Sequence, residues 1–122
     1  MKTVSCVPWL VLFLSLLTPM TAGLNILQWN MRGFRSNITD LQALVASKSP
    51  VAVALQETKL KPEHNCNLHH YKTYRHDLTN TQIAHGGVAL LVHYSVPSVS
   101  FPLRTGLQAV AATVDLTHIK LT

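Results

Sequence analysis

The run Val51-Ala-Val-Ala-Leu55, entered from Ser49-Pro50 and closed by Gln56-Glu57-Thr58-Lys59, constrains this chain most. Its apolar residues do not alternate with polar ones, so a strand built from them must be covered on both faces, as in the centre of an α/β sheet. Its C-terminal end delivers an amide, a carboxylate, a hydroxyl and an ammonium group in succession. Open α/β sheets place their chemistry at the carboxyl ends of their strands. Glu57 at that position, with Gln56 before it and Lys59 two residues after it, suits a hard divalent cation that polarises a phosphate. A solvated acid opening a surface loop has the same local signature.

The flanking segments read as a βαβ unit. Leu24 to Trp29 is a short apolar-rich strand ending in Asn30, and Met31-Arg32-Gly33 supplies a turn in which glycine can take positive φ. From Ser36 to Ser47, apolar residues at Ile38, Leu41, Leu44 and Val45 have the spacing of an amphipathic helix, capped by Ser36 or Asn37, with Asp40 favouring its first turn. Two such strands lie parallel with a right-handed crossover, which brings Asn30 and Glu57 to the same side. Further along, Lys61 to Leu68 reads as a loop, His69 to Tyr74 as a short edge strand and Val88 to Tyr94, opened by Gly86-Gly87, as a second strongly apolar strand. Prolines 97 and 102 exclude a central strand between Ser95 and Pro102. Gln108 to Leu116 alternates as a strand with Val110, Ala112, Val114 and Leu116 inward, and Ile119 to Thr122 begins another element.

The N-terminus has a different character. Met1-Lys2, the apolar stretch Val7 to Leu17 and Thr18-Pro-Met-Thr-Ala22 have the charged start, apolar core and small-residue end of a secretory signal peptide, bracketed by Pro8 and Pro19. Residues 1–23 are thus expected to be a leader cut after Ala22, and residues 24–122 a single partial domain. The stretch is shorter than the roughly 20 residues a membrane span needs, so no span is expected in the mature chain. Ten basic against five acidic residues give a net charge of +5, compatible with phosphate-rich partners, although the cations are scattered rather than striped. With the leader removed, Cys66 is the sole cysteine and no internal disulfide can form, which is unusual for a small secreted domain. Asn37-Ile-Thr39 matches the glycosylation acceptor pattern.

His64, Cys66, His69 and His70 carry zinc-ligating groups, but so close together in sequence they read as a solvated loop rather than a tetrahedral site. Phosphate-loop, nucleophile-elbow and dinucleotide motifs do not occur. Leu27-Gln-Trp-Asn-Met-Arg-Gly33, followed by Ala54-Leu-Gln-Glu-Thr-Lys59 and then Gly86-Gly-Val-Ala-Leu-Leu91, resembles the endonuclease/exonuclease/phosphatase superfamily. Within it, the chain looks most like the N-terminal endonuclease domain of non-LTR (LINE-type, Jockey-like) retrotransposon polyproteins.

The resemblance implies a truncated, N-terminal portion of a four-layer α/β sandwich, of which these residues would build one sheet and one or two helices, leaving one sheet face without its partner. It implies that Glu57 is the Mg²⁺ ligand, that Asn30 holds that carboxylate, the metal or the scissile phosphate, and that Gln56, Thr58 and Lys59 orient the strand end. Arg32 stands where abasic-site relatives carry an acid, which favours the retroelement branch. The implied reaction is metal-dependent nicking of DNA to expose a 3′ hydroxyl, from which a reverse transcriptase domain of the parent polyprotein would prime. The family's remaining catalytic residues are a tyrosine, an Asp-x-Asn pair, an aspartate and an Asp-His pair, and none is recognisable before Thr122; Asp115 and His118 read as plain strand residues on opposite faces. The expectation is therefore a catalytically dead fragment, nuclear by resemblance. The alternative is a secreted, non-catalytic binding protein in which a leader has been joined to a decayed retroelement segment.

Overall fold

The computed structural model describes residues 25–77, 86–102 and 109–115, together with the backbone of residues 2–7 and 10–13. In chain order the elements are β1 (Lys2–Val7), β2 (Leu10–Phe13), β3 (Ile26–Asn30), α1 (Phe34–Lys48), β4 (Ala52–Gln56), β5 (Tyr71–His76), β6 (Val88–His93), β7 (Ser98–Ser100) and β8 (Val110–Val114). They form two four-stranded sheets, ordered β3-β4-β6-β5 and β2-β1-β8-β7.

The first sheet carries the βαβ unit. β3 and β4 run parallel, with Ile26 opposite Ala52 and Asn30 opposite Gln56. β6 is antiparallel to both β4 and β5, setting Gln56 against Val88 and Tyr74 against Leu90. Every residue of β4 is buried, and so is β6 from Val88 to Val92, because these two strands are covered on both faces. On one face α1 packs Phe34 and Leu41, with Ile38 and Val45 partly buried, against Val53, Leu55 and Leu91. Leu41 is completely buried, so Leu41→Ala would cost about 2–5 kcal/mol. On the other face Ala54, Leu90 and Val92 meet Ala112 and Val114 of β8. The molecule is mixed α/β, with helix, sheet and sheet stacked as in a portion of the four-layer sandwich.

Several sequence expectations need correction. A second sheet exists, and half of it comes from the segment read as a leader: β1 pairs antiparallel with β8, Lys2 opposite Val114 and Cys6 opposite Val110, and β2 pairs with β1. The sheet face expected to lack a partner is thereby covered. α1 begins at Phe34 with Gly33 as its N-cap, no side chain caps it, and its first turn holds no acid. Ser36 and Asn37 lie inside the helix, and Asp40 lies beyond its first turn. The chain leaves the helix through Ser49 in the left-handed conformation, whose N–H bonds the Val45 carbonyl at 2.9 Å. β8 presents Val110, Ala112 and Val114 to the core as their alternation predicts; Leu116, His118 and the segment 119–122 lie outside the described residues. Asp115 lies just past the strand, its N–H bonded to the Pro97 carbonyl at 2.9 Å. β7 is an edge strand between its two prolines.

Cleavage after Ala22 would strip β1 and β2 from β8, leaving it only β7. Residues 24–122 alone are therefore expected to bind an exposed-surface dye and to melt broadly, whereas the full chain melts cooperatively. A sharp melt of residues 24–122 as a monomer without dye binding would contradict this dependence.

Candidate functional site

The carboxyl ends of β3 and β4 do not release their chains into free loops. The Met31 N–H bonds the Gln56 carbonyl at 2.9 Å, the Gly33 N–H bonds that of Glu57 at 2.9 Å, and the Phe34 N–H bonds that of Thr58 at 2.8 Å. From the other side, the Thr58 and Lys59 N–H groups reach the carbonyls of Gly87 at 3.2 Å and Gly86 at 2.7 Å. This lacing holds three non-glycine residues, Arg32, Glu57 and Lys59, at φ between 51 and 52°. Such conformations cost roughly 1–3 kcal/mol each and persist only where the surroundings over-determine them. Gly87 answers a close approach at φ 89°, where an added Cβ would overlap Thr58 Oγ1.

The structure brings Asn30 and Glu57 to one end of the sheet, as the parallel pairing predicts. Asn30 is exposed, Glu57 half-buried, Gln56 and Thr58 buried and Lys59 exposed. Thr58 Oγ1 is buried without a hydrogen-bond partner among the described residues. It lies against Gly87, so Thr58 packs the strand end instead of offering a ligand. Lys59 extends its stem over Gly33, its Cδ 4.0 Å from where a Cβ on Gly33 would stand.

Beside these strand ends opens a cleft of about 540 Å³, lined by Arg32, Arg35, Thr58, Lys59 and His64 together with the first residues of α1. No acid contributes to its lining, and the N-terminus of α1 adds its positive dipole end. His64 Nδ1 accepts the Lys61 N–H at 3.0 Å, which fixes the ring against the loop. Arg35 Nη1 lies 3.3 Å from His64 Nε2. The Arg35 guanidinium can only donate, and its remaining N–H groups are available to an oxyanion entering the cleft. Arg75 fixes the loop behind them: its Nη1 donates to the His64 carbonyl at 2.6 Å and its Nη2 to that of Lys61 at 2.8 Å. The same guanidinium pairs with Asp77 at 2.7 Å.

Sequence proximity grouped His64, Cys66, His69 and His70, but the fold separates them. Cys66 is a core residue, and burial pushes its thiol up to about 11 despite the lowering influence of Arg75, so it is no thiolate ligand near neutral pH. His69 and His70 lie with His93 around a cavity of about 370 Å³ at the opposite end of β4, near Val51. Arg35 and the cleft role of His64 were not legible in the sequence, because what unites them is the path of the loop rather than a spacing. Among the described residues no three His, Cys, Asp or Glu side chains are arranged to hold a metal ion. The single carboxylate of Glu57 at the strand end fits a hard dication poorly, since Mg²⁺ gains little from one ligand.

Arg32→Gly is expected to leave stability unchanged or to raise it by about 1 kcal/mol, by removing the strained conformation at the expense of a more flexible unfolded chain. The same change should weaken polyanion binding. A lower melting temperature with unaltered binding would contradict the assignment of that strain to the cleft.

The family model for the endonuclease/exonuclease/phosphatase family matches residues 27–115, from β3 to the end of β8. That family generally requires a divalent metal and generally acts on nucleic acid substrates. Comparison with curated proteins gives no match. No helix among the described residues is long and apolar enough to cross a membrane. The family match covers the first sheet, with β7 and β8 of the second, and takes in the laced strand ends that carry Asn30 and Glu57, and the chain belongs to the endonuclease/exonuclease/phosphatase family.

Proposed function

We propose that this chain is a segment of a retroelement-type DNA endonuclease that grips a phosphodiester but does not cleave it unaided. The observation that carries the reading is the acid-free cleft lined by Arg32, Arg35, Lys59 and His64, in which Arg35 Nη1 lies 3.3 Å from His64 Nε2. A phosphate held there would lie next to the strand ends that bear Asn30 and Glu57. Arg32 in place of an acid supports the retroelement branch over abasic-site enzymes. In the parent polyprotein the exposed 3′ hydroxyl would serve the reverse transcriptase domain. Hydrolysis by this family needs several carboxylates, a base for water and donors to the transition state, acting as a unit. The described residues supply Glu57, Asn30 and the cationic cleft, and no step is assigned to Mg²⁺ at so poor a ligand set.

A second reading, a secreted binding protein, draws on the leader-like composition of residues 1–23. It predicts a mature chain starting at Gly23 or Leu24 in culture medium. Against it stands the engagement of β1 with β8.

Supercoiled plasmid incubated with the full chain and Mg²⁺ or Mn²⁺ should be retained but not nicked. Retention should weaken with salt, and Arg35→Ala or Lys59→Ala should each flatten that dependence by about one phosphate contact. Absence of binding at low salt would remove the reading. Metal-dependent nicking lost in both Glu57→Ala and Asn30→Ala would show a complete catalytic site instead. In a chain joined to a full C-terminal half, Glu57→Gln should abolish nicking.

A further inference from the structure

We propose that Asn37, the glycan acceptor of the Asn37-Ile-Thr39 triplet, is a latch on the Met31–Gly33 turn, and that glycosylation of Asn37 and formation of that turn exclude each other. The inference does not depend on what the cleft binds. Asn37 lies half-buried in α1, and its Nδ2 donates to the Met31 carbonyl at 2.8 Å and to the Gly33 carbonyl at 3.1 Å. A primary amide nitrogen carries two N–H groups, and here both are committed. These two bonds tie the turn to the helix at a helix start that has no side-chain cap. The same turn holds Arg32 at φ 52°, a conformation that a non-glycine residue keeps only under external constraint, beside Gly33 at φ 120°.

N-glycosylation forms a bond between this nitrogen and the anomeric carbon of a lipid-pyrophosphate-linked oligosaccharide. The lipid pyrophosphate leaves, and one amide proton is lost. Only one N–H then remains for two carbonyls, and the sugar carbon occupies the direction along which the second carbonyl oxygen now lies within hydrogen-bond distance. One bond is lost and the other carbonyl is overlapped, so the turn cannot close around a glycosylated Asn37. Enzymatic release of the glycan by amide hydrolysis would leave an aspartate there, which has no N–H to donate and repels both carbonyls, so the latch would stay broken.

The test uses the full chain, made both in bacterial cytosol and through a eukaryotic secretory route, with intact mass reporting the glycan. Amide hydrogen exchange at Met31, Gly33 and Phe34 reports the turn, with Val53 and Leu55 of β4 as internal references. Thr39→Ala destroys the acceptor triplet at an exposed position while sparing the Asn37 amide, and should protect the turn as the parent does. Asn37→Asp keeps the side-chain shape without the donors, and should speed exchange at Gly33 and Phe34 by about tenfold or more relative to β4. A secreted product that is unglycosylated with a protected turn, or glycosylated with an unprotected one, agrees with the proposal. A glycosylated product with the turn as protected as in Thr39→Ala would overturn it. So would unchanged protection in Asn37→Asp, whatever the mass of the secreted chain.

Discussion

Backbone hydrogen bonding that continues past the ends of the strands is the constraint on which the rest of this structure depends. β3, β4 and β6 stop as regular strands at Asn30, at Gln56 and before Val88, yet the chains beyond them remain tied through Met31, Gly33, Phe34, Thr58 and Lys59 to the carbonyls of 56–58 and 86–87. Each bond contributes only about 1 kcal/mol net. Collectively they oppose the cost of three left-handed non-glycine residues, and they turn a loop cluster into a fixed surface. Gly87 belongs to the same device, since only a residue without Cβ lets the third chain close on Thr58.

That fixed surface is electrostatically one-sided. Arg32, Arg35 and Lys59 line the cleft with His64, while Glu57 remains half-buried at the strand end. Cations so arranged attract a phosphate strongly and a free metal ion weakly. The geometry therefore favours binding of the polyanion first, with any metal chemistry awaiting carboxylates that the described residues do not bring to this end of the sheet. The cavity ringed by His69, His70 and His93 lies at the other end of β4 and shares none of the cleft's arginines or lysines.

Local patterns made part of this legible. Val51 to Leu55 lacks alternation because β4 is covered by α1 on one face and β8 on the other, and the spacing of Ile38, Leu41 and Val45 follows directly from the helix facing that sheet. The parallel pairing expected of a βαβ unit then placed Asn30 and Glu57 at one end of the sheet. Long-range pairing left no such trace. β1 finds β8 from the far end of the chain, and the apolar stretch at its start has the composition of a leader as readily as of strands. Ser36 and Asn37 are good caps in isolation, but α1 starts at Phe34 with Gly33 as its cap. Backbone bonds to Glu57 and Thr58 set the entry angle instead, and Asn37 was drawn back to the turn. Arg35 and His64 met through a loop pinned by Arg75, a contact no spacing announces.

The measurement that bears most directly on the central claim is a nitrogen–proton correlation spectrum of the full chain, titrated at low salt with a short DNA duplex and resolving the His64 ring and Arg35 guanidinium signals. A phosphodiester seated in the cleft predicts that the largest changes fall on the His64 ring, the Arg35 guanidinium and the Lys59 amide. Largest changes at His69, His70 and His93, or none at Arg35 and His64 while DNA is bound, would contradict it.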